Sequence, residues 1–179
     1  MSDKLHASKN RGAHAVLARM AGTWRGTART WFEPGQLRDT SPVNGVIKLV
    51  LNGMFAQHSY RGKLMGQSMQ GLALIGFSLG EQQWQVAWVD SVHNGTRIMH
   101  SAGQKGASPL APDVRGSYPA GEGPDWGWRT TLQLKGRDRL LLRHFNITPQ
   151  GDESIGVEFD YRRVKAIAKP HLKAKSRRR

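Results

Sequence analysis

Residues 126–135 read Trp126-Gly127-Trp128-Arg129-Thr130-Thr131-Leu132-Gln133-Leu134-Lys135. In an extended chain Trp126, Trp128, Thr130, Leu132 and Leu134 share one side, and the glycine and polar residues share the other. A period of two is the mark of a strand with one buried face. Thr23 to Thr30 repeats it, with Trp24, Gly26, Ala28 and Thr30 opposite Thr23, Arg25, Thr27 and Arg29. So do Trp84 to Asp90, with Trp84, Val86, Trp88 and Asp90 on one side, and Ile155 to Tyr161. Val43 to Leu51, Phe55 to Arg61, Thr96 to Ala102 and Leu140 to Ile147 read as further strands. Met69 to Phe77 is apolar on both faces.

Turn residues separate these runs. Asn52-Gly53 is the strongest hairpin signal, because both residues tolerate the positive φ of a type I′ turn. Asn94-Gly95 is a second such signal. Gly103 to Pro124, rich in Gly and Pro, predicts a long loop, alone or with one short edge strand near Val114–Tyr118. The expected architecture is all-β, with about nine or ten antiparallel strands. Sequential hairpins that must hide their edges close most simply into an up-and-down barrel, with a two-sheet sandwich as the alternative.

The ends read differently. Residues 1–11 are expected to be a flexible arm, and 12–164 to form the barrel domain. Ala13, Val16, Leu17 and Met20 sit at helical spacing between Gly12 and Gly22, which predicts a short helix able to plug one barrel end. Residues 165–179 carry Lys165, Lys169, Lys173, Lys175, Arg177, Arg178 and Arg179 and no acid, half of the net charge of +14. This segment is expected to be a disordered basic tail. It is either a solvated terminus or a weak, sequence-blind contact for nucleic acid or an anionic surface, since it lacks aromatics for base stacking.

Composition excludes some chemistry. With no cysteine there is no disulfide, thiolate catalysis or Cys-based metal site, and a reducing, cytoplasmic setting is expected. Met1 to Gly12 has no apolar core of a signal peptide, and no stretch nears 18 apolar residues. The sequence has no Gly-x-x-x-x-Gly-Lys loop, Gly-x-Ser-x-Gly elbow or His-Glu-x-x-His helix, so the reading leans away from an enzyme.

Several short motifs occur in a consistent order. They are Ala21-Gly22-Thr23-Trp24-Arg25-Gly26, Asn52-Gly53-Met54-Phe55, Gly71 with Gly76-Phe77, Trp88-Val89-Asp90-Ser91 and Glu158-Phe159-Asp160-Tyr161-Arg162-Arg163. Together they resemble the bacterial family known as domain of unknown function 1579, from about Leu17 to Val164. The resemblance implies a calycin-like barrel, related in shape to lipocalins and fatty-acid-binding proteins, and brings no activity. Met54 stands where relatives are expected to carry Arg. The Gly22-x-Trp24-x-Gly26 opening is more distantly similar to nitrobindin-type haem barrels, for which His144 is the one candidate iron ligand.

The candidate site follows from the shared face. Trp24, Trp84, Trp88, Trp126 and Trp128 either wall a cavity for an apolar or amphipathic ligand or simply fill the barrel; eight strands can be filled, whereas ten usually leave a cavity. Asp90, at the same parity, is either a polar anchor at the cavity mouth or a turn residue bonded to its own backbone. Arg97, Arg143 and Tyr161 are further candidate anchors, the arginines as partners for Asp90. The leading expectation is a non-catalytic small-molecule-binding barrel without cofactor. Haem on His144 and polyanion contact through 165–179 are the alternatives.

Overall fold

The computed structural model describes residues 3–165. Two short helices, α1 (Asp3–Arg11) and α2 (Ala13–Met20), precede ten strands. These are β1 (Gly22–Glu33), β2 (Gln36–Val50), β3 (Phe55–Leu64), β4 (Gln67–Ser78), β5 (Gln83–Asp90), β6 (Met99–Ala102), β7 (Asp113–Tyr118), β8 (Trp126–Lys135), β9 (Arg139–Ile147) and β10 (Glu153–Arg163). Each strand pairs antiparallel with its chain neighbours, and β1 also pairs with β10 from Trp24↔Arg163 to Thr30↔Val157. The barrel is closed and up-and-down, so every strand has a neighbour on both sides. The thinnest seam is β6–β7, joined at the single pair Ala102↔Arg115.

α2 plugs the end at which β1 begins. Ala13, Leu17 and Met20 are fully buried there, and Trp24 Nε1 donates to the Met20 carbonyl at 3.0 Å. Arg163 donates to the carbonyls of Arg19 (2.7 Å) and Ala21 (2.6 Å) and stacks 4.2 Å over the Trp24 ring, tying the last strand to the plug.

Residues 3–11 correct the expectation of a flexible arm. Their sequence has no apolar stripe, and a nine-residue helix is marginal in water. It is held from outside: Lys9 Nζ donates to the Asn52 carbonyl at 2.5 Å, and buried Ser8 shares a 2.8 Å hydrogen bond with His14 Nδ1. Asp3 in the first turn and Lys9 and Arg11 in the last also suit the helix dipole.

The turns are wider than the two-residue readings. Val50 pairs with Phe55, leaving four residues, of which Leu51, Asn52 and Gly53 have positive φ. Asn94-Gly95 lies within a loop spanning 91–98, because β6 begins only at Met99. The strand near Val114 exists as β7, but it lies within the closed sheet instead of at an edge. The segment 166–179, most of the expected basic tail, lies outside the described residues.

Ten strands leave room for a hollow centre, yet this barrel is filled. Trp24, Trp84, Tyr60, Tyr161, Phe77, Phe159, His58 and His144 all point inward and are buried. The internal cavity among His58, Trp88, Trp128, Thr130 and His144 holds only about 20 Å³. Small wall residues make room for the rings; a Cβ at Gly71 would fall 2.2 Å from the Tyr60 ring.

Candidate functional site

Opposite the plug, the barrel opens into a mouth of about 230 Å³. Its floor is a set of near-parallel rings. Trp88 and Trp128 stack at 5.6 Å with an 8° interplanar angle. His144 lies against both, at 5.4 Å from Trp88 and 5.1 Å from Trp128. Tyr118 meets Trp128 edge-on at 6.0 Å and donates its hydroxyl to Asn146 Oδ1 at 2.7 Å. Trp31, Phe32, His93, Asn94 and Met99 complete the wall.

Two bulges shape this mouth. The β1–β2 register shifts between Thr30 and Trp31, which turns Trp31 toward the opening although strict alternation points it outward. On β10 the register shifts between Ile155 and Val157, leaving Gly156 as the extra residue, and Gly156 also lines the mouth. Phe32, at the rim, is 58% exposed.

A hydrogen-bonded chain fixes the floor to the rim. Trp88 Nε1 donates to the Tyr60 hydroxyl at 3.0 Å, which donates to Asp90 Oδ2 at 3.1 Å. The same carboxylate oxygen lies 2.5 Å from His93 Nδ1. Asp90 Oδ1 accepts the backbone amides of Val92 (2.9 Å) and His93 (2.5 Å). Burial pushes the Asp90 carboxyl upward, but His93 and the two amides outweigh it and hold the group below the usual carboxylate range. Burial, then the Asp90 charge, drives the Tyr60 hydroxyl well above its ordinary value.

Trp128 differs from its neighbour. Among the described residues its Nε1–H is the one buried side-chain polar atom with no partner. The ring faces both the mouth and the small internal cavity. A buried donor left without an acceptor costs about 1–3 kcal/mol and calls for an explanation.

The structure separates the residues that alternation grouped. Trp88 and Trp128 lie together at the mouth, with Asp90 just behind the rim. Trp126 pairs with Tyr118 at the strand end and is only half-buried. Trp24 and Tyr161 lie 6.4 Å apart at the plugged end, with the Tyr161 hydroxyl 3.3 Å from His58 Nε2. Trp84 donates to the Ser108 carbonyl under the 103–112 loop. Neither arginine serves Asp90: Arg143 binds Glu158 at 2.7 Å on the outer face, and Asp90 takes Tyr60 and His93 instead. Tyr60, Trp31, Phe32, His93, Tyr118 and Asn146 escaped the sequence reading. For all but Tyr60 the one signal was closeness to strand ends and loops, and Tyr60 lies mid-strand in β3 at the inward parity of His58.

His144 does not fit a haem iron. Its Nδ1 shares a 2.8 Å hydrogen bond with Thr130 Oγ1, and burial lowers its pKa to about 3. The space beside it admits about one water, not a macrocycle. Among the described residues there is no group of three or more metal-ligating side chains, and no helix is long and apolar enough to cross a membrane.

Among solved structures, the S-type phycobiliprotein lyase CPES from Guillardia theta is similar, with a TM-score of 0.53 and 10% identity over 93% of this chain and 100% of that one. At that identity the likeness concerns the fold alone. No curated protein matches the chain. The model of the family described as "Protein of unknown function (DUF1579)" matches residues 9–163, which is nearly the whole barrel with its helical plug, and the chain belongs to that family.

Proposed function

We propose that this protein is a non-catalytic binding module whose ligand is a small, flat, ring-bearing molecule held at the mouth, not in the barrel centre. The observation that carries this reading is the unpaired Trp128 Nε1–H in an aromatic floor beneath an open 230 Å³ space. Binding sites are mostly apolar with a few placed polar groups, and this mouth has that make-up. Trp31, Phe32, Trp88 and Trp128 offer ring faces and edges. Asn94 and Asn146 offer polar contacts on the mouth, and the covered Trp128 Nε1–H is the floor's donor left for a ligand acceptor that reaches it. The ligand class is a planar ring bearing a hydrogen-bond acceptor.

Tryptophan fluorescence tests this with coumarin, a flat ring with a carbonyl, and naphthalene, which lacks an acceptor. Coumarin is expected to quench saturably. Trp128→Phe should weaken coumarin about tenfold and leave naphthalene nearly unchanged, since only the former loses a hydrogen bond. Absence of a saturable response to either probe in the intact protein ends this reading.

A further inference from the structure

The outer surface holds a second space, larger than the mouth and separate from it. A groove of about 600 Å³ crosses the outside of β1 to β5, and Val164 lies at one end of it. Its floor is one register row of short side chains: Thr23↔Val46↔Ser59↔Leu72↔Val89. Four strand spacings make this row about 19 Å long. One bank is the neighbouring row Arg25↔Asn44↔Arg61↔Gln70. This arrangement accounts for an apolar residue on the outer face of β4: Ala73, Ile75 and Phe77 fill the barrel, while Leu72 lies 41% exposed in the groove floor.

The charges on this face are one-sided. On the far side of the barrel several arginines are matched to carboxylates, although Arg38 and Arg162 have no ion pair among the described residues. Arg29 and Arg143 hold Glu158, Arg139 holds Asp160, and Arg129 holds Asp113 and Glu153. Along the groove, Arg25 finds only the Asn44 side-chain oxygen, at 3.2 Å, and Arg61 has no partner among the described residues. The groove's one carboxylate, Asp90, is fully covered and engaged from within. A floor of chain-like length, chiefly aliphatic at Val46, Leu72 and Val89 with the hydroxyls of Thr23 and Ser59 between and beside them, and with unmatched guanidiniums on its bank, is complementary to one kind of molecule.

We infer that this groove binds a single-chain anionic amphipath, its carboxylate or phosphate on Arg61 and Arg25 and its hydrocarbon chain along Val46, Leu72 and Val89. The guanidiniums supply charge-assisted hydrogen bonds to the head. Each methylene removed from water adds about 0.8 kcal/mol at full burial. The floor row carries no aromatic ring, and Trp24 and Tyr60 behind it are buried, so no ring face is exposed to stack a base, which disfavours a nucleic acid strand there.

The test is calorimetric titration of the full chain with monomeric dodecyl phosphate, below its micelle threshold. Dodecanol and inorganic phosphate serve as single-feature controls. Saturable binding of dodecyl phosphate is expected, with each control at least about tenfold weaker. Arg61→Gln and Leu72→Asp, both at exposed positions, should each weaken it about tenfold or more, and Phe32→Asp at the mouth should not. If Phe32→Asp abolishes binding while the groove variants do not, the amphipath sits in the mouth and the inference falls. It falls equally if inorganic phosphate binds as tightly as dodecyl phosphate, or if duplex DNA binds through Arg61 and dodecyl phosphate does not. Co-flotation with phosphatidylglycerol vesicles, displaced by monomeric dodecyl phosphate, would support the site and assign its ligand to a membrane. Binding of the monomer without co-flotation would support the site with a free molecule as its ligand.

Discussion

Asp90 and His93 are joined twice, through the imidazole Nδ1 at 2.5 Å and through the backbone amide of His93 at 2.5 Å, so one buried carboxylate clamps the start of the mouth loop. The same group takes the Tyr60 hydroxyl from the barrel interior. Asp90 therefore couples the ring floor to the 91–98 rim.

Asp90→Asn should strip this clamp. An amide cannot match a carboxylate that accepts four donors, and breaking a buried charged network costs about 3–5 kcal/mol. The expected result is a marked drop in the urea midpoint together with faster hydrogen exchange at the amides of Val92 and His93. Unchanged exchange there would show that the loop is held by something else.

Trp128→Phe and Trp88→Phe look alike on paper and should behave differently. The first removes an indole N–H that has no partner and keeps a ring, so stability should change by less than about 1 kcal/mol. The second removes the donor that fixes the Tyr60 hydroxyl and should cost about 1–2 kcal/mol more. Equal losses in thermal melts of the two variants would contradict this assignment.

Gly71→Ala should be costly at a position that looks innocuous in sequence. The added methyl falls 2.2 Å from Tyr60, whose hydroxyl is pinned by both Trp88 and Asp90 and cannot swing away. A loss of about 1–3 kcal/mol is expected. Gly80→Ala, with nothing within 4 Å, is the control and should be close to neutral. Chemical denaturation of the pair checks the contrast.

Stability should fall in mild acid. Burial holds His58 at about 4 and His144 at about 3, against an ordinary imidazole near 6.5. Above pH 6.5 both folded and unfolded states are neutral and the contribution to stability is complete. Below it, the unfolded chain takes up protons that the native state refuses, a loss of about 1.4 kcal/mol per pH unit for each ring until the folded values are reached. Asp90, with its lowered pKa, adds a loss in the same direction as its ordinary titration range is entered. Urea midpoints between pH 7 and pH 5 should decline, and a His144→Gln variant should decline less steeply. A flat profile would mean that these rings are already charged in the native state.

The barrel was readable because a half-buried strand writes its two faces into alternate residues. Trp128-x-Thr130-x-Leu132 places its even positions inside whatever the rest of the chain does. The same rule failed where the backbone departs from it. A bulge rotated Trp31 into the mouth against its parity, and position along the strand divided Trp88 and Trp128 from Trp24, Trp84 and Tyr161. Parity says which face a residue occupies; it does not say how far along the barrel axis it sits. α1 was invisible for a related reason, since its partners, Asn52 and His14, are tertiary neighbours without a local apolar pattern. The outer groove was legible only as the two-faced apolarity of β4.

The pairing of Trp24 with Arg163 bears on how the molecule comes into being. The first strand emerges from the ribosome well over a hundred residues before its final neighbour exists. Until that neighbour arrives, β1 has only the β2 side of its ladder, and no shorter product can complete the ring. Such distant closure makes for slow folding and a long-lived open sheet that other nascent chains can join. The arginine that completes the ring also donates to two carbonyls at the end of the plug, so closing the circle adds the last bonds to the stopper.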